Sequence, residues 1–251
     1  MCLVAFAWKA HPEYRLIVAA NRDEFHTRPA KAMHWWPDHP ALLAGQDLEA
    51  GGTWLGISRS GRFATVTNYR EDLKRQHRGR SRGELVTGFV AGTETPLDYC
   101  SNIDPADFAG FSLLAMAGDD LAYVSNRGDE SRKLPPDVYG LSNASLDTPW
   151  DKVLRSKSAL AALLQREIAV EPLLEMLRDA EPAATDDYAG TGLTPEVARA
   201  VSAPFISTPD YGTRCSTIVV VATSGSVEVH ERRFDNVGAF AGEARFEFEI
   251  A

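Results

Sequence analysis

Apolar residues along this chain fall into strand-length runs separated by turn-forming residues, and the runs come in pairs. LVAFAW (Leu3 to Trp8) and RLIVAAN (Arg15 to Asn21) flank KAHPEY, which supplies a reversal. TWLGIS (Thr53 to Ser58) and RFATVTN (Arg62 to Asn68) flank RSG, with glycine where the backbone must turn. FSLLAMA (Phe111 to Ala117) and LAYVSN (Leu121 to Asn126) flank GDD. Successive hairpins predict mainly antiparallel sheets.

Helical spacing occurs between and after these pairs. Gly83 to Ala91 places Leu85, Val86, Phe89 and Val90 on one face. Thr148 followed by Pro149 reads as an N-cap with proline at the first helical position, which predicts a helix from there through Leu164. Leu173 to Arg178 and Pro195 to Val201 predict shorter helices, and EPAATDDYAGTG (Glu181 to Gly192) predicts a loop. Strands return at Ser216 to Thr223, Val227 to Phe234 and Arg245 to Ile250. Strands first, helices in the middle and strands last describe an α+β sandwich, two antiparallel sheets covered by helices. With no internal repeat and no domain-sized linker, residues 1–251 read as one domain.

Composition narrows the class. Hydrophobic residues make up 44% and charged residues 24% of 251, which is ordinary globular usage and excludes disorder or a fibrous repeat. A formal charge of -9 gives no attraction for phosphate backbones or anionic membranes, so nucleic acid is not an expected partner. The local exception is KRQHRGRSR, Lys74 to Arg82, which reads as a solvated loop or as a holder of an anionic ligand. Cys2, Cys100 and Cys215 are odd in number and lack metal-type spacing, which fits a reducing compartment. The first residues lack a secretory signal and no apolar run approaches membrane-spanning length, so a cytoplasmic protein is expected.

Cys2 is the residue with most chemistry to offer. Removal of Met1, which methionine aminopeptidase performs when the second residue is small, would leave a thiol and a free α-amine on one residue. An α-amine with an ordinary pKa near ~8 is partly unprotonated at neutral pH and can take the thiol proton directly or through water. One residue would supply both nucleophile and base. Asn21, Arg22, Asp23 and Glu24 follow in succession at the end of the second strand, and antiparallel pairing carries them back beside Cys2. Arg22 can lower the thiol pKa by its charge, and Asp23 can hold the α-amine. The same four residues would also serve as a surface salt-bridge and capping cluster. Asn68 closes a strand and Asn143 precedes the predicted helix; each offers uncharged donors for an oxyanion, and each residue type is also common at turns. Arg214, just before the strand CSTIVVVA, can enter the same sheet-end site or flank it at the surface.

MCLVAF, NRDEF, GGTWLGIS, TNYR, RGELV, NRG, YGLSNA with TPW, and YGTR occur here in the order seen in the NRDE-motif family, the transport and Golgi organization protein 2 family. The resemblance covers nearly the whole chain. That family is similar in fold to the N-terminal nucleophile hydrolases, four-layer αββα sandwiches, and especially to the choloylglycine hydrolase and penicillin V acylase group. The resemblance implies a cysteine nucleophile at Cys2, oxyanion-assisting asparagines at Asn68 and Asn143, and a distal arginine at Arg214. It departs from the wider group at its Arg-x-x-Asp, because Arg22 and Asp23 are adjacent here.

Two functions follow from these readings. One is hydrolysis of a non-peptide amide (C–N) bond in an acylated small molecule, with no cofactor required. The alternative is a carrier that binds haem or an acyl-CoA or lipid in the same pocket without turnover; no haem-attachment motif is present, although His77 lies in the basic stretch. A protein-interaction scaffold is a third reading with no repeat to support it.

Overall fold

A computed structural model describes residues 2–70, 79–183 and 193–251. Its strands are β1 (Cys2–Trp8), β2 (Tyr14–Phe25), β3 (Ala30–Trp36), β4 (His39–Asp47), β5 (Leu55–Ser58), β6 (Phe63–Asn68), β7 (Phe111–Ala117), β8 (Asp120–Ser125), β9 (Asp129–Lys133), β10 (Asp137–Leu141), β11 (Tyr211–Ala222), β12 (Ser226–Phe234) and β13 (Phe240–Glu249). The α-helices are α1 (Gly83–Ala91), α2 (Pro96–Ser101), α3 (Asp151–Leu163), α4 (Val170–Met176) and α5 (Pro195–Ala200).

Among the described residues the strands form a six-stranded sheet, ordered β10-β1-β2-β11-β12-β13, and a seven-stranded sheet running in sequence order from β3 to β9. All pairings between these strands are antiparallel. Alternation along the strands builds three apolar layers. Val4, Phe6, Trp8, Leu16 and Val18 meet Leu55, Ile57, Phe63, Leu114 and Tyr123 between the sheets. Ala5, Ala7, Ile17 and Ala19 face Leu160, Leu173 and Leu177 on the helical side of the six-stranded sheet. Val86, Phe89 and Cys100 cover the outer face of the seven-stranded sheet. The layers are therefore αββα.

The hairpins expected from the sequence form, and several neighbouring elements were not expected. β3, β4, β9 and β10 escape the period-2 signal for local reasons. β9 is a polar edge strand (DESRK), β4 contains Pro40 and Gly45, which read as breakers, and β3 and β10 lie at sheet edges where one neighbour is missing. The helix α3 begins at Asp151 with Trp150 as its cap, and Thr148 makes no cap bond to it. Thr148 donates its hydroxyl to the Ser145 carbonyl instead (2.8 Å), while Asp147 takes a positive φ of 59°. Most of the basic stretch, including His77, and most of the predicted loop from Glu181 to Gly192 lie outside the described residues.

Candidate active site

NRDE is not a strand end. Asn21 to Glu24 lie inside β2, which continues to Phe25, because β11 extends past Cys215 to Tyr211 and supplies partners that far. The strand's alternation then sends neighbouring polar groups to opposite faces. Arg22 shares its face with Val18 and points between the sheets, whereas Asn21 and Asp23 point to the helical side with Ile17 and Ala19. All three are buried.

Cys2 opens β1 directly opposite Arg22, and Arg22 in turn pairs with Cys215 on β11. Ser142, just past β10, donates its hydroxyl to the Cys2 carbonyl (2.9 Å) and pins the strand start. Cys2, Arg22, Asp23 and Asn68 all line a cleft of ≈ 660 Å³ between the sheet ends, with Glu24, Arg28, Asp47, Gly52, Thr53, Trp54 and the start of α1 around its wall. Gly52 is required there, since a Cβ would come within 2.6 Å of the Gly83 backbone where α1 begins.

Arg22 is held from two sides. Its guanidinium stacks over the Trp54 ring (4.2 Å to the centroid) and donates to Asp47 Oδ2 (3.2 Å). Arg28 donates to the same oxygen (2.7 Å), while Oδ1 accepts the amides of Glu49 and Ala50. Burial works to raise the Asp47 carboxyl, but the bonds from Arg28 and the Ala50 amide and the two guanidinium charges hold it below its ordinary value.

The Cys2 thiol is pushed up by burial and by the Asp23 charge, against the pull of the N-terminal ammonium, Arg22 and the Asp23 backbone amide. Burial also pushes the Asp23 carboxyl up, opposed by the N-terminal ammonium, Lys152 and a hydrogen bond from Thr213. Thr213 Oγ1 donates to Asp23 Oδ1 at 2.7 Å, and Tyr211 donates its hydroxyl to the Asp23 carbonyl at 2.7 Å. A nucleophile candidate, an arginine and a carboxylate therefore meet at one strand end.

Asn143 is fully buried, does not line the cleft, and follows β10 by two residues. Its Nδ2 donates to both the Asn68 carbonyl and Asn68 Oδ1 (each 2.9 Å). Asn68 is thereby held by its Oδ1 and carbonyl at the cleft wall. Arg214 is set apart from the other candidates. A register shift between Thr213 and Cys215 makes it the extra residue of a bulge, and its Nη1 meets His26 Nδ1 at 2.9 Å.

Sequence reasoning missed Asp47, Trp54 and Lys152. Asp47 carried a local signal, an acidic residue opening the turn before Gly51-Gly52, where it can accept the amides two and three residues on. Lys152 had a weaker one: it shares an i, i+4, i+8 stripe with Ser156 and Leu160, the buried side of α3. Among the described residues no group of three or more His, Cys, Asp or Glu converges as a metal site, and no histidine lines the cleft. No helix among them is long and apolar enough to cross a membrane.

Two antiparallel sheets stacked face to face between helices, with a cysteine opening the strand at the cleft, define the fold of the N-terminal nucleophile hydrolases. The structure is similar to that of a mutant conjugated bile acid hydrolase from Clostridium perfringens, with a TM-score of 0.51 at 8% identity over 99% of this chain and 97% of that one. Residues 1–236 match the family described as Transport and Golgi organisation 2. The Homo sapiens Transport and Golgi organization protein 2 homolog is 37% identical over 92% of each chain, and the Drosophila melanogaster protein 26% identical over 92% of this chain and 91% of its own. The chain belongs to the Transport and Golgi organisation 2 family.

Proposed function

We propose that the protein is a cysteine N-terminal nucleophile hydrolase that cleaves a non-peptide amide bond of an acylated small molecule. The observation that carries this reading is the convergence of Cys2, Arg22, Asp23 and Asn68 on one cleft. After loss of Met1, the α-amine of Cys2 takes the thiol proton and the thiolate attacks the acyl carbon. Asn68 donates to the developing oxyanion, with Asn143 fixing its orientation through two hydrogen bonds. The C–N bond breaks as the ammonium returns its proton to the leaving amine, and water then hydrolyses the thioester. Asp23 holds the amine, Arg22 favours the thiolate, and Arg214 braces the neighbouring strand end through His26.

Support for a small-molecule amide comes from the shared fold, since the Clostridium perfringens protein is a conjugated bile acid hydrolase. The relatives' names point instead to transport, and Arg80 and Arg82 at the cleft suit the phosphates of an acyl-CoA carried without turnover. Haem is the weaker ligand, because the cleft offers no histidine among the described residues.

The test is intact mass of the purified protein before and after exposure to a panel of acyl amides and thioesters, with Cys2→Ser alongside. Loss of Met1 and a Cys2-dependent acyl adduct support the hydrolase. Met1 retained with no adduct overturns it in favour of the carrier, which titration with acyl-CoA then reads directly.

A further inference from the structure

Arg22 and Arg28 line the same cleft as Cys2 and share one anchor. Both donate to Asp47 Oδ2, Arg22 from Nη2 at 3.2 Å and Arg28 from Nε at 2.7 Å. The other oxygen of Asp47 is taken by the amides of Glu49 and Ala50. The anchor is also fixed through its backbone. The Asp47 amide donates to the Gly52 carbonyl and its carbonyl accepts the Gly51 amide, while the Leu48 amide donates to the Pro29 carbonyl and ties the segment of Arg28 to the same turn. Two guanidiniums are therefore set side by side with a single carboxylate between them.

A guanidinium carries N–H donors on several edges of a planar fork. Arg22 spends one donor on Asp47 and lays one face over the Trp54 ring, and its side chain is only 5% exposed. Arg28 spends Nε on Asp47 and Nη1 on Glu49 at 3.3 Å. Among the described residues the other donors of Arg22, and Nη2 of Arg28, have no hydrogen-bond acceptor. Donors of a buried charged group are costly to leave unpaired, so this wall is built to receive an acceptor. A neutral carbonyl would occupy the donors and leave the second guanidinium without a counter-ion. A carboxylate supplies both. Glu24 and Glu49 do not take that place: Glu24 Oε2 stands 3.9 Å from Arg28 Nε with Oε1 on the Phe25 amide, and Glu49 is 63% exposed, where water screens its charge.

We propose that Arg22 and Arg28 form a carboxylate subsite of the Cys2 cleft, so that the substrate is an amide bearing a carboxylate close to its scissile carbonyl. The inference rests on Cys2 being the nucleophile proposed above, and it narrows the substrate class. An N-acyl amino acid carries such a carboxylate on the leaving amine, and the monoamide of a dicarboxylic acid carries it on the acyl part. Both present the same anion to the two arginines. An uncharged long-chain amide leaves the pair unmatched.

The first test compares alkylation of Cys2 by iodoacetate and by iodoacetamide, which place a carboxylate or a neutral amide on the carbon that bonds to sulfur. Rates are taken across the pH midpoint of alkylation, so that both reagents meet the same thiolate, and by peptide mass, so that Cys100 and Cys215 are scored separately. The iodoacetate-to-iodoacetamide ratio should exceed that of a free cysteine peptide by about tenfold. Arg28→Gln, which keeps an N–H donor and loses the charge, should bring it back toward the peptide value. A ratio at or below that of the peptide, or one that Arg28→Gln leaves unchanged, overturns the proposal. The second measurement needs no reactive thiol: Cys2→Ser is titrated calorimetrically with N-acetylglycine, N-methylsuccinamate and the uncharged N-acetylglycinamide. Tighter binding of either carboxylate than of the uncharged amide supports the subsite and shows on which side of the scissile bond the anion lies, and the absence of that preference overturns it. A Cys2 inert to both alkylating reagents, with carboxylate binding present in Cys2→Ser, refutes the hydrolase and still supports the anion subsite.

Discussion

The buried stretch of β2 has two halves, Leu16 to Ala20 and Asn21 to Asp23, built from opposite materials. Leu16 to Ala20 is apolar on both faces, packed between the sheets on one side and under α3 and α4 on the other. Asn21 to Asp23 continues the same strand between the same neighbours, yet all its side chains are polar and at most 5% exposed. Each has named partners: for Asn21 the carbonyls of Leu177 and Pro204 and the Ser216 hydroxyl, for Arg22 Asp47 and Trp54, and for Asp23 the Thr213 hydroxyl at Oδ1. Replacing apolar packing by paired polar groups does not by itself stabilise a fold. The contrast separates the half of the strand that holds the sheets together from the half that arranges chemistry.

That separation can be broken by variants aimed at each end. Phe6→Ala removes a fully buried ring on β1, opposite Val18 in the apolar half and stacked on Tyr139 (5.1 Å between centroids). It should cost about 3–5 kcal/mol in urea unfolding while the folded protein keeps its Cys2 alkylation rate. A large loss of Cys2 reactivity in folded Phe6→Ala would mean that the two halves are not separable.

At the polar end, Asn68→Ala should lower the rate of Cys2 acylation by roughly 10²–10³. Its thermal unfolding should move much less than that of Phe6→Ala, and turnover unchanged from the parent protein would remove Asn68 from the oxyanion role. Arg22→Met exchanges a paired cation for an apolar chain of similar length, leaving Asp47 with Arg28. Stability should change by about 1 kcal/mol or less in either direction, with the Cys2 alkylation midpoint displaced upward. A stability loss as large as that of Phe6→Ala would show that this end also carries the fold.

The last effect concerns pH and Lys152. Burial lowers its ammonium from 10.5 to about 8, despite the opposing charge of Asp23. Below pH 8 the group is protonated in folded and unfolded chains alike, and the cost of burying it is present in full. Between about 8 and 10.5 the unfolded chain binds a proton that the folded chain has released, so this group makes stability rise with pH. Urea midpoints of the parent protein should therefore gain on those of Lys152→Met across that window. A constant difference between the two would show that Lys152 titrates as an ordinary exposed lysine.

Much of the αββα architecture was legible because strands declare themselves locally. Alternation, glycine at reversals and the returning strands after the helices all act within a few residues of one another. Edge strands were the gap, since β9 faces solvent and has no reason to be apolar. The neighbourhood of Cys2 and NRDE was legible too, because antiparallel pairing of two adjacent strands brings Cys2 opposite Arg22 whatever the rest of the chain does.

Tertiary structure alone decided what each polar group does. Asn143 reaches Asn68 across 75 residues, Arg22 meets Asp47 across 25, and Thr213 meets Asp23 across 190. No local pattern encodes such meetings. They depend on how far β11 extends beside β2, on the bulge that turns Arg214 toward His26, and on the rotation of α3 that buries Lys152. Local periodicity fixes which residues are inside; only the packing of distant segments fixes which buried charge faces which.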